Sequence, residues 1–390
     1  MTTPPTGRAP NLDLVFVTHT AVGYGASRSM AVLIDGCDDR RRVGLVGPPG
    51  TGEMAGKLGL APDAVLEVSL PWSRLHPWEI RPGKRLKQLR HAWSTYRKLR
   101  RFVRSGRPSV VCSNSSVFEW GHVAAAACGA KHVWFLREFG DLDYQLQWSE
   151  GSQPRFERRV KQADRIVSVS RAVAEHHGVA DQPQACVLYN GVAARDQMID
   201  RGPAQGPAAS RHRLGVVGLV CEAKCIEIAV EAIGLLHRQG HRGASLHIYG
   251  DGPDDYRQRL RDLAAERSVA DAVVFEGYRE RVADIYGSID ATVVAARHEA
   301  FGRTTAEAMA YGVPVVGRAS GGTIELIDNG RSGLLFDGSP ADLASQIARL
   351  IDEPGLASRL AAAGQQRARR EFSHESYSAG FETILNELAA

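Results

Sequence analysis

The stretch HEAFGRTTAEAMAYGVPVVGRASGG, residues 298–322, decides the fold of this chain. The run before it, residues 291–296, predicts a strand, and residues 303–311 predict a helix. Gly312 and Pro314 form a normal helix stop, and the Val-Pro-Val-Val run that follows predicts the next strand. A strand, a helix and a strand in this order are typical of a parallel sheet covered by helices.

The predicted start of this helix has the properties of an anion site. The first backbone N–H groups, at residues 302–304, have no partners within the helix and lie at the positive end of its dipole. Residues three and four apart share a helix face, so Arg303, Thr304 and Glu307 would project together, while Glu299 approaches from the preceding turn. Two carboxylates beside an anion site suit a ligand made of sugar, diphosphate and ribose.

A second loop supports this interpretation. Two arbitrary glutamates would belong to a solvated surface. Here, however, Gly321, Gly322 and Glu325 follow the next predicted strand directly. Loops that follow parallel strands meet at one edge of the sheet, so both loops would line the same crevice.

Length and composition indicate a globular protein of two domains. The chain has 390 residues, of which 44% are hydrophobic and 24% charged. No early apolar run is long enough for a signal peptide or a membrane span, so we expect a cytoplasmic protein. The six cysteines form no Cys-x-x-Cys pair and no zinc pattern, and reduced thiols are the simplest account of them.

The net charge of +4 is unevenly distributed. Residues 81–107 contain no aspartate or glutamate, and Trp72, Trp78 and Trp93 lie in or beside this stretch. Its basic residues are at positions 81, 84, 85, 87, 90, 97, 98, 100, 101, 104 and 107. A basic helix with aromatic residues can lie on an anionic membrane surface, and it can equally be a solvated helix face. Nucleic acid is a poorer partner, because no binding motif accompanies the charge.

Short β-like runs alternate with helical ones along the whole chain. In the first half they are residues 12–17, 43–46, 64–68, 109–112, 132–136 and 165–170; in the second half they are 213–218, 244–250, 272–277, 290–296 and 313–317. This alternation predicts two doubly wound α/β domains. We place the first domain at 1–200, a linker at 201–211, the second domain at 212–372 and a C-terminal amphipathic helix at 373–390.

Several further loops follow predicted strands. Gly23 and Gly25 follow the first strand, with Arg28 in the next helical turn, but the third glycine of a dinucleotide fingerprint is missing. Lys224 follows another strand and is predicted to open a helix, where its charge opposes the dipole unless an anion compensates.

In the second half, Gly250 and Gly252 end one strand, while Gly277 and Tyr278 end another. Each pair alone could be a turn, but such loops at strand ends converge on one crevice.

Asp141 and Asp143 form an Asp-x-Asp pair, which holds a divalent metal in some sugar transferases. The pair belongs to the first half of the chain and not to the half that carries the anion site. We therefore predict that it holds no metal.

Five motifs together resemble the retaining glycosyltransferases of family 4. The specific ones are EAFGRTTAEAMAYGVPVV at 299–316 and GGTIELIDNGRSGLLF at 321–336; ADRIVSVSRAVAEHH, VLYNGV and YGDGP support them. The resemblance covers nearly the whole chain. It implies the GT-B fold, in which two Rossmann-like domains face each other across a central cleft and a C-terminal helix crosses back to the first domain.

The resemblance also implies roles for individual residues in a metal-independent hexosyltransferase. Glu307 would bind the donor ribose, Glu299 would contact the donor sugar, and Lys224 would pair with the diphosphate. The remaining donor-side residues would be Gly23, Gly25, Gly250, Gly252, Tyr278 near the base, Phe301, Gly302, Arg303 and Thr304, with Glu299, Lys224 and Arg303 taking part in catalysis. The acceptor-side candidates are Arg28, Asn114, Arg137 and Glu138.

The chain departs from the family pattern at two places. The family usually has an arginine shortly before the lysine and a glycine directly after it, whereas this chain has Leu219 and Cys225. Many members also have a histidine after the strand in the first domain, where this chain has Arg137 and Glu138.

These observations favour transfer of a sugar from a nucleotide-diphosphate sugar, such as a UDP- or GDP-sugar, to a hydroxyl acceptor, with no further cofactor. Two alternatives stay open: a nucleotide-sugar-binding protein without transfer activity, and a sugar-nucleotide epimerase on the same fold. A lipid-linked acceptor at the inner face of the membrane and a small soluble acceptor both fit the sequence. The donor base and sugar are undetermined.

Overall fold

The computed structural model describes residues 11–21, 25–38, 40–76, 85–149, 151–198 and 212–390. The chain divides into two compact units, one formed by Met1–Tyr189 with Tyr377–Ala390 and the other by Asn190–Ser376. The first unit thus ends before the boundary predicted at residue 200. The predicted linker, 201–211, lies outside the described residues.

The first unit is built on a parallel sheet of seven strands. These are β1 (Leu14–Val17), β2 (Val43–Gly47), β3 (Val65–Glu67), β5 (Val110–Ser113), β6 (Lys131–Leu136), β8 (Arg165–Ser168) and β9 (Ala185–Val187), in the order β3-β2-β1-β5-β6-β8-β9. Two short strands, β4 (Arg74–Leu75) and β7 (Gln147–Trp148), form a separate antiparallel pair. All six strands predicted in this half are present, and β9, β4 and β7 were not predicted.

Helices cover both faces of this sheet: α1 (Gly25–Asp35), α2 (Thr51–Lys57), α3 (Arg85–Gly106), α4 (Trp120–Cys128), α5 (Asp141–Tyr144), α6 (Ser152–Lys161) and α7 (Arg171–His176). Strand β1 shows why the strands are apolar throughout. Leu14 and Phe16 point into one hydrophobic core, while Val15 and Val17 point into another. Since both faces of the strand are buried, polar residues cannot alternate with apolar ones.

The last helix, α15 (His374–Ala389), completes the first unit. Its buried residues Tyr377, Phe381, Ile384 and Leu385 belong to the same core as β1, and the ring of Phe381 lies 5.9 Å from that of Phe16. This packing confirms the prediction that the C-terminal helix returns to the first domain.

The second unit repeats the architecture with a parallel sheet of six strands. They are β10 (His212–Val217), β11 (Ala244–Tyr249), β12 (Val273–Gly277), β13 (Ala291–Val294), β14 (Val315–Arg318) and β15 (Leu334–Phe336), in the order β12-β11-β10-β13-β14-β15. The helices are α8 (Ile226–Arg238), α9 (Asp254–Glu266), α10 (Val282–Gly287), α11 (Arg303–Ala310), α12 (Thr323–Leu326), α13 (Pro340–Asp352) and α14 (Leu356–Glu371).

In both sheets the strand order reverses beside the first strand, between β1 and β5 and between β10 and β13. In open α/β sheets ligands bind outside the carboxyl ends of the strands at such a switch point. The loops that follow β10 and β13 are therefore the first place to look for a site in the second unit. A search of the described ranges for a helix long and apolar enough to cross a bilayer finds none.

Candidate active site

The turn between β13 and α11 has the predicted form. Helix α11 begins at Arg303, and Gly302 before it has a φ of +93°, a backbone conformation that favours glycine. The loop after β14 packs directly against this turn, because the Gly322 N–H donates a 2.7 Å hydrogen bond to the Glu299 carbonyl. The two loops therefore line one edge of the sheet, as predicted.

Lys224 and Glu299 form an ion pair at this edge. The two side chains are 32% and 14% exposed, so the pair is half-buried and not a solvated surface contact. Lys224 belongs to the loop after β10 and Glu299 to the loop after β13. The ion pair thus bridges the two strands of the switch point.

The local setting of Lys224 differs from the prediction. It does not open a helix; it ends a short 3₁₀ turn, Glu222–Lys224, and α8 begins only at Ile226. Cys225 between them has a φ of +49°, which ends the 3₁₀ turn and starts α8 in a new direction. Lys224 therefore lies before the first turn of α8 and not within it, and its charge is balanced by Glu299.

The second carboxylate, Glu307, lies buried beside the start of α11. Arg303 Nη2 lies 3.0 Å from Glu307 Oε1, and the Tyr286 hydroxyl lies 3.4 Å from Glu307 Oε2. Burial, followed by the Glu307 charge, raises the pKa of Tyr286 well above its ordinary value, so this hydroxyl keeps its proton and can donate. Arg303 and Glu307 face each other as the helical spacing predicted.

Thr304 does not join this group. Its hydroxyl donates a 3.2 Å hydrogen bond to the Val217 carbonyl at the end of β10. The Val217 carbonyl lies at the end of a strand, and the threonine supplies a donor for it. The side chain of Thr304 therefore ties α11 to the sheet, and only its backbone is available at the helix start.

The glycines at the end of β11 are required by packing between loops. A Cβ on Gly250 would lie 1.9 Å from the Gly218 carbonyl oxygen, and one on Gly252 would lie 1.8 Å from that of Val220. The Val220 N–H also donates to the Asp251 carbonyl at 2.9 Å. These contacts confirm that the loops converge, and they give both glycines a structural role; contact with a donor stays a prediction.

Two more donor-side candidates occupy contrasting positions. Tyr278, directly after β12, is 62% exposed. Phe301 is buried, with its ring edge-on to Phe372 at 6.0 Å, so only its backbone can reach a ligand.

The acceptor-side candidates of the first unit are mostly internal. Arg28 is exposed on α1, which begins at Gly25, while Gly23 lies outside the described residues. Asn114, by contrast, is fully buried, and its side-chain oxygen accepts a 2.6 Å hydrogen bond from Arg137 Nε. Arg137 also donates to the Tyr377 hydroxyl at 3.0 Å, which ties β6 to the last helix.

Glu138 is equally enclosed. Its Oε1 accepts hydrogen bonds from the Ser115 hydroxyl and, at 2.8 Å, from the Ser116 N–H. Burial raises the pKa of this carboxyl, and those hydrogen bonds oppose the rise. Arg137 and Glu138 thus both have hydrogen-bond partners inside the first unit, and their acceptor role stays a prediction.

The loop after β6 is held in place by Arg74, which no sequence motif singled out, and by the Asp141 and Asp143 pair. Arg74 lies 65 positions upstream of Phe139 and is 3% exposed. It donates to the Phe139 carbonyl, and its guanidinium lies 3.8 Å from the ring centroid of Trp148.

The two aspartates of the Asp-x-Asp pair have separate partners. Asp141 Oδ1 lies 2.8 Å from His176 Nε2. Asp143 accepts from the N–H groups of Phe139 and Gly140 at 3.0 and 2.7 Å. Within the described residues, no group of three or more His, Cys, Asp and Glu could hold a metal.

The Asp143→Asn variant should lose part of the pH dependence of folding. Burial, with the Glu138 charge second, raises the pKa of Asp143 from 3.8 to about 6. The folded state therefore keeps a proton that the unfolded state has lost, so stability falls as pH rises from about 4 through 6. Between pH 4 and pH 7 we expect the free energy of unfolding of the unmodified protein to fall by about 2 kcal/mol more than that of the variant.

Urea denaturation at several pH values measures this difference. Asp181→Asn, which removes one exposed carboxylate of the same unit, serves as the control. A wild-type profile for Asp143→Asn would show that the carboxyl of Asp143 is not held protonated in the folded state.

Comparison with known proteins decides the family. A model of "Glycosyl transferases group 1" matches residues 211–353, and a model of "Glycosyltransferase Family 4" matches residues 25–195. The chain belongs to the group 1, family 4 glycosyltransferases. The two matches fall on the two repeats of the α/β architecture.

Two relatives of the chain carry names of specific transferases and synthases. The chain is 32% identical over 277 residues to D-inositol 3-phosphate glycosyltransferase of Acidothermus cellulolyticus, covering 65% of this chain and 61% of the relative. It is 30% identical over 226 residues to glycogen synthase of Mycobacterium tuberculosis, covering 56% and 52%. The chain thus aligns with little more than half the length of these relatives.

Solved structures share the fold. The Anabaena protein HepE superposes with a TM-score of 0.79 at 17% identity, covering 96% of this chain and 100% of that one. Sucrose-phosphate synthase of Thermosynechococcus elongatus gives 0.70 at 17% identity, covering 97% and 99%. The fold of this glycosyltransferase is therefore GT-B.

The structure explains one departure from the family pattern. Cys225 stands where a glycine is usual, and its φ of +49° is the left-handed conformation that glycine adopts without strain. Leu219, at the usual arginine position, is 58% exposed, so this position has space for a long side chain. Leucine does not supply the positive charge that an arginine would bring.

Replacing Cys225 with glycine should therefore stabilise the glycosyltransferase. We expect the free energy of unfolding of Cys225→Gly to be about 1 kcal/mol higher than that of Cys225→Ala. Both variants remove the thiol, but only glycine removes the backbone strain of the left-handed conformation. At an ordinary helical position alanine would be the more stable by a similar amount. Chemical denaturation of the two variants measures the sign, and a more stable alanine variant would contradict the strain.

Proposed function

We propose that this protein transfers a sugar from a nucleotide-diphosphate sugar to a hydroxyl acceptor, with retention of anomeric configuration. The observation that carries the proposal is the Lys224–Glu299 ion pair across the switch point of the second sheet. The Arg303–Glu307 pair lies at the start of α11, four residues beyond the turn that carries Glu299. Two cations, two carboxylates and a helix start therefore surround one edge of the sheet.

The donor would bind along this edge. Its diphosphate would accept hydrogen bonds from the N–H groups at the start of α11 and pair with Lys224. Glu307 would bind the ribose hydroxyls, Glu299 the sugar hydroxyls, and Tyr278 would lie near the base. Each carboxylate pairs with a cation, which would position both cations for the phosphates.

During transfer the bond between the anomeric carbon and the distal phosphate oxygen breaks, and the acceptor oxygen bonds to the same face of that carbon. The departing phosphate oxygen takes the acceptor proton. Lys224, Arg303 and the helix start stabilise the charge that develops on the diphosphate, so we propose that no metal is required. Glu299 orients the sugar and does not attack it.

Several relatives support this proposal. HepE has been solved with UDP and with UDP-glucose, which favours a uridine nucleotide among the candidate donors. D-inositol 3-phosphate glycosyltransferase, by its name, acts on a small polar alcohol, which favours a hydroxyl acceptor. A lipid-linked sugar and a small molecule both fit this class, and we place the reaction in the cytoplasm.

The test is nucleotide binding followed by donor turnover. UDP, GDP and their sugar derivatives are screened by thermal shift, where a ligand at a hundred times its dissociation constant adds about 2.7 kcal/mol of stability. Stabilising sugar nucleotides are then incubated with candidate acceptors. A protein that binds no sugar nucleotide, or that isomerises the donor without an acceptor, would overturn the proposal.

Glu307→Gln should separate ribose from phosphate binding. Loss of the carboxylate removes charge-assisted hydrogen bonds to vicinal hydroxyls, worth about 1.5 kcal/mol, so we expect about tenfold weaker binding of the stabilising nucleoside diphosphate. Inorganic pyrophosphate should bind at least as tightly as before, because the variant removes a negative charge beside the phosphate site. Isothermal titration of both ligands measures the contrast.

The matched control is Glu353→Gln. Glu353 also pairs with the arginine four residues before it, with Arg349 Nε 2.7 Å from its Oε1, and it lies in the same unit. This variant should leave both affinities unchanged. Equal weakening of the two ligands by Glu307→Gln would show that Glu307 supports the phosphate site and not the ribose.

A further inference from the structure

Helix α3 presents one face to the core and the other to solvent. Thr95, Leu99, Phe102 and Val103 are buried, and the last three belong to a hydrophobic core of the first unit. The Thr95 hydroxyl donates a 3.0 Å hydrogen bond to the Ser69 carbonyl. The helix is therefore fixed, and its opposite face is permanently outward.

The outward face carries cations and aromatic rings without any acidic residue. Its described cations are Arg90, Arg97, Lys98, Arg100, Arg101 and Arg104, all exposed. Trp93 is 61% exposed and Tyr96 39% exposed on the same face. The Arg97 guanidinium lies 4.7 Å from the centroid of the Trp93 ring, so the cation and the indole form one exposed unit.

A basic notch continues this face beyond the end of the helix. A shallow cavity of about 450 Å³ is lined by Arg104, Arg107 and the end of α4 at Cys128 and Gly129. Arg104 Nε donates to the Ala127 carbonyl at 2.9 Å, which fixes its guanidinium at the rim. Arg107 has a φ of +49°, a costly conformation for arginine, and its side chain is exposed beside the notch.

We propose that this face of α3, from Arg90 to the Arg104–Arg107 notch, docks on a surface of anionic phospholipid. The row of cations would meet lipid phosphates, the notch would take one headgroup, and Trp93 would lie at the interface with its ring among the headgroups. A helix face that only contacts solvent normally carries charges of both signs and few exposed aromatic residues, unlike this face of α3. The proposal goes beyond sugar transfer and does not depend on it.

Vesicle co-sedimentation tests the proposal with the full chain. One set of vesicles is phosphatidylcholine alone, and the other is phosphatidylcholine and phosphatidylglycerol in equal parts. We expect binding to the anionic vesicles at low salt, loss of binding at about 0.5 M salt, and none to the neutral vesicles. Absence of binding to anionic vesicles at low salt overturns the proposal.

Charge variants locate the surface. Each cation near an anionic membrane changes the partition coefficient about fivefold, so the triple variant Arg97→Gln, Arg100→Gln, Arg101→Gln should bind about a hundredfold more weakly. A matched control replaces three exposed arginines of the second unit, Arg238, Arg242 and Arg281, with glutamine. Equal loss in both triple variants would show that net charge, and not this face, drives binding, and would overturn the proposal.

Two further readouts complete the test. Trp93→Ser should also weaken binding to anionic vesicles, which net charge alone does not predict. Single-stranded RNA is offered in competition, and release from the vesicles by a small excess of RNA would overturn the proposal in favour of nucleic acid. Thermal stabilisation by sugar nucleotides should be the same in all variants, so failure of lipid binding and failure of sugar transfer are distinguishable.

Discussion

Replacing Lys224 with alanine should lower the rate of donor turnover by about 100- to 1000-fold, the usual effect of removing one group that stabilises developing charge. Lys224 is half-buried and pairs with Glu299 across the switch point of the second sheet. The leaving diphosphate gains negative charge as the anomeric bond breaks. An ammonium at this edge of the sheet is therefore worth more in the transition state than in the bound donor.

Steady-state kinetics distinguish this role from simple binding. We expect a fall in kcat with a smaller change in KM for the donor, because the charge on the diphosphate increases only during the reaction. Lys57→Ala is the matched control, since Lys57 also forms an ion pair with a glutamate but is 75% exposed on α2. Near-normal turnover in Lys224→Ala would contradict the assignment of Lys224 to the diphosphate site.

A double variant removes the structural explanation. Lys224→Ala leaves the Glu299 carboxylate, 14% exposed, without its cation, and that alone could destabilise the turn. Lys224→Ala combined with Glu299→Gln has no unpaired carboxylate and should recover thermal stability without recovering turnover. Recovery of both would mean that Lys224 acts only by neutralising Glu299.

Local sequence patterns predicted an element well where the residues that start and end it lie within its own segment. Helix α11 was predicted at 303–311 and spans Arg303–Ala310, because its start and stop residues are all within the segment. Strands β9 and β15 are three residues long and depend on the neighbouring strand for their hydrogen bonds. Such pieces have no periodicity of their own, so the sequence could not distinguish them from loops.

The candidate site was predictable to the same degree. Arg303 and Glu307 come together because helical spacing alone places them on one face of α11. The pairing of Lys224 with Glu299 needed the strand order, which places residues 75 positions apart on adjacent loops. The internal hydrogen bonds of Thr304 and Arg137 could not be predicted, because Val217 and Tyr377, which accept them, lie far away along the chain. Arg74 offered no signal, because its partners lie far along the chain.

Gly250 and Gly252 show how tightly the loops of the second unit are packed, and Gly250→Ala should be severely destabilising. Its new Cβ would lie 1.9 Å from the Gly218 carbonyl oxygen, and its φ of +137° is unfavourable for alanine. Overpacking and backbone strain each cost about 1–3 kcal/mol, so we expect a loss of about 4 kcal/mol in the free energy of unfolding.

Other glycines separate the two causes. Gly252→Ala meets a backbone oxygen at 1.8 Å without a positive φ, while Gly277→Ala has a φ of +72° and meets nothing within 4 Å. Each should cost less than Gly250→Ala. Gly56→Ala, on α2 with open space around it, should be neutral or stabilise by up to about 1 kcal/mol. Chemical denaturation of the four variants gives this order.

The same variants connect packing to the site. Gly250 and Gly252 press on the loop of residues 218–220, which leads directly into the turn that carries Lys224. If that loop must move to admit a Cβ, Lys224 loses its position opposite Glu299, and the affinity for sugar nucleotides should fall together with stability. Gly277→Ala, which displaces nothing, should lose stability while keeping its affinity. Unchanged nucleotide affinity in a folded Gly252→Ala variant would show that the loops tolerate displacement and that the position of Lys224 does not depend on them.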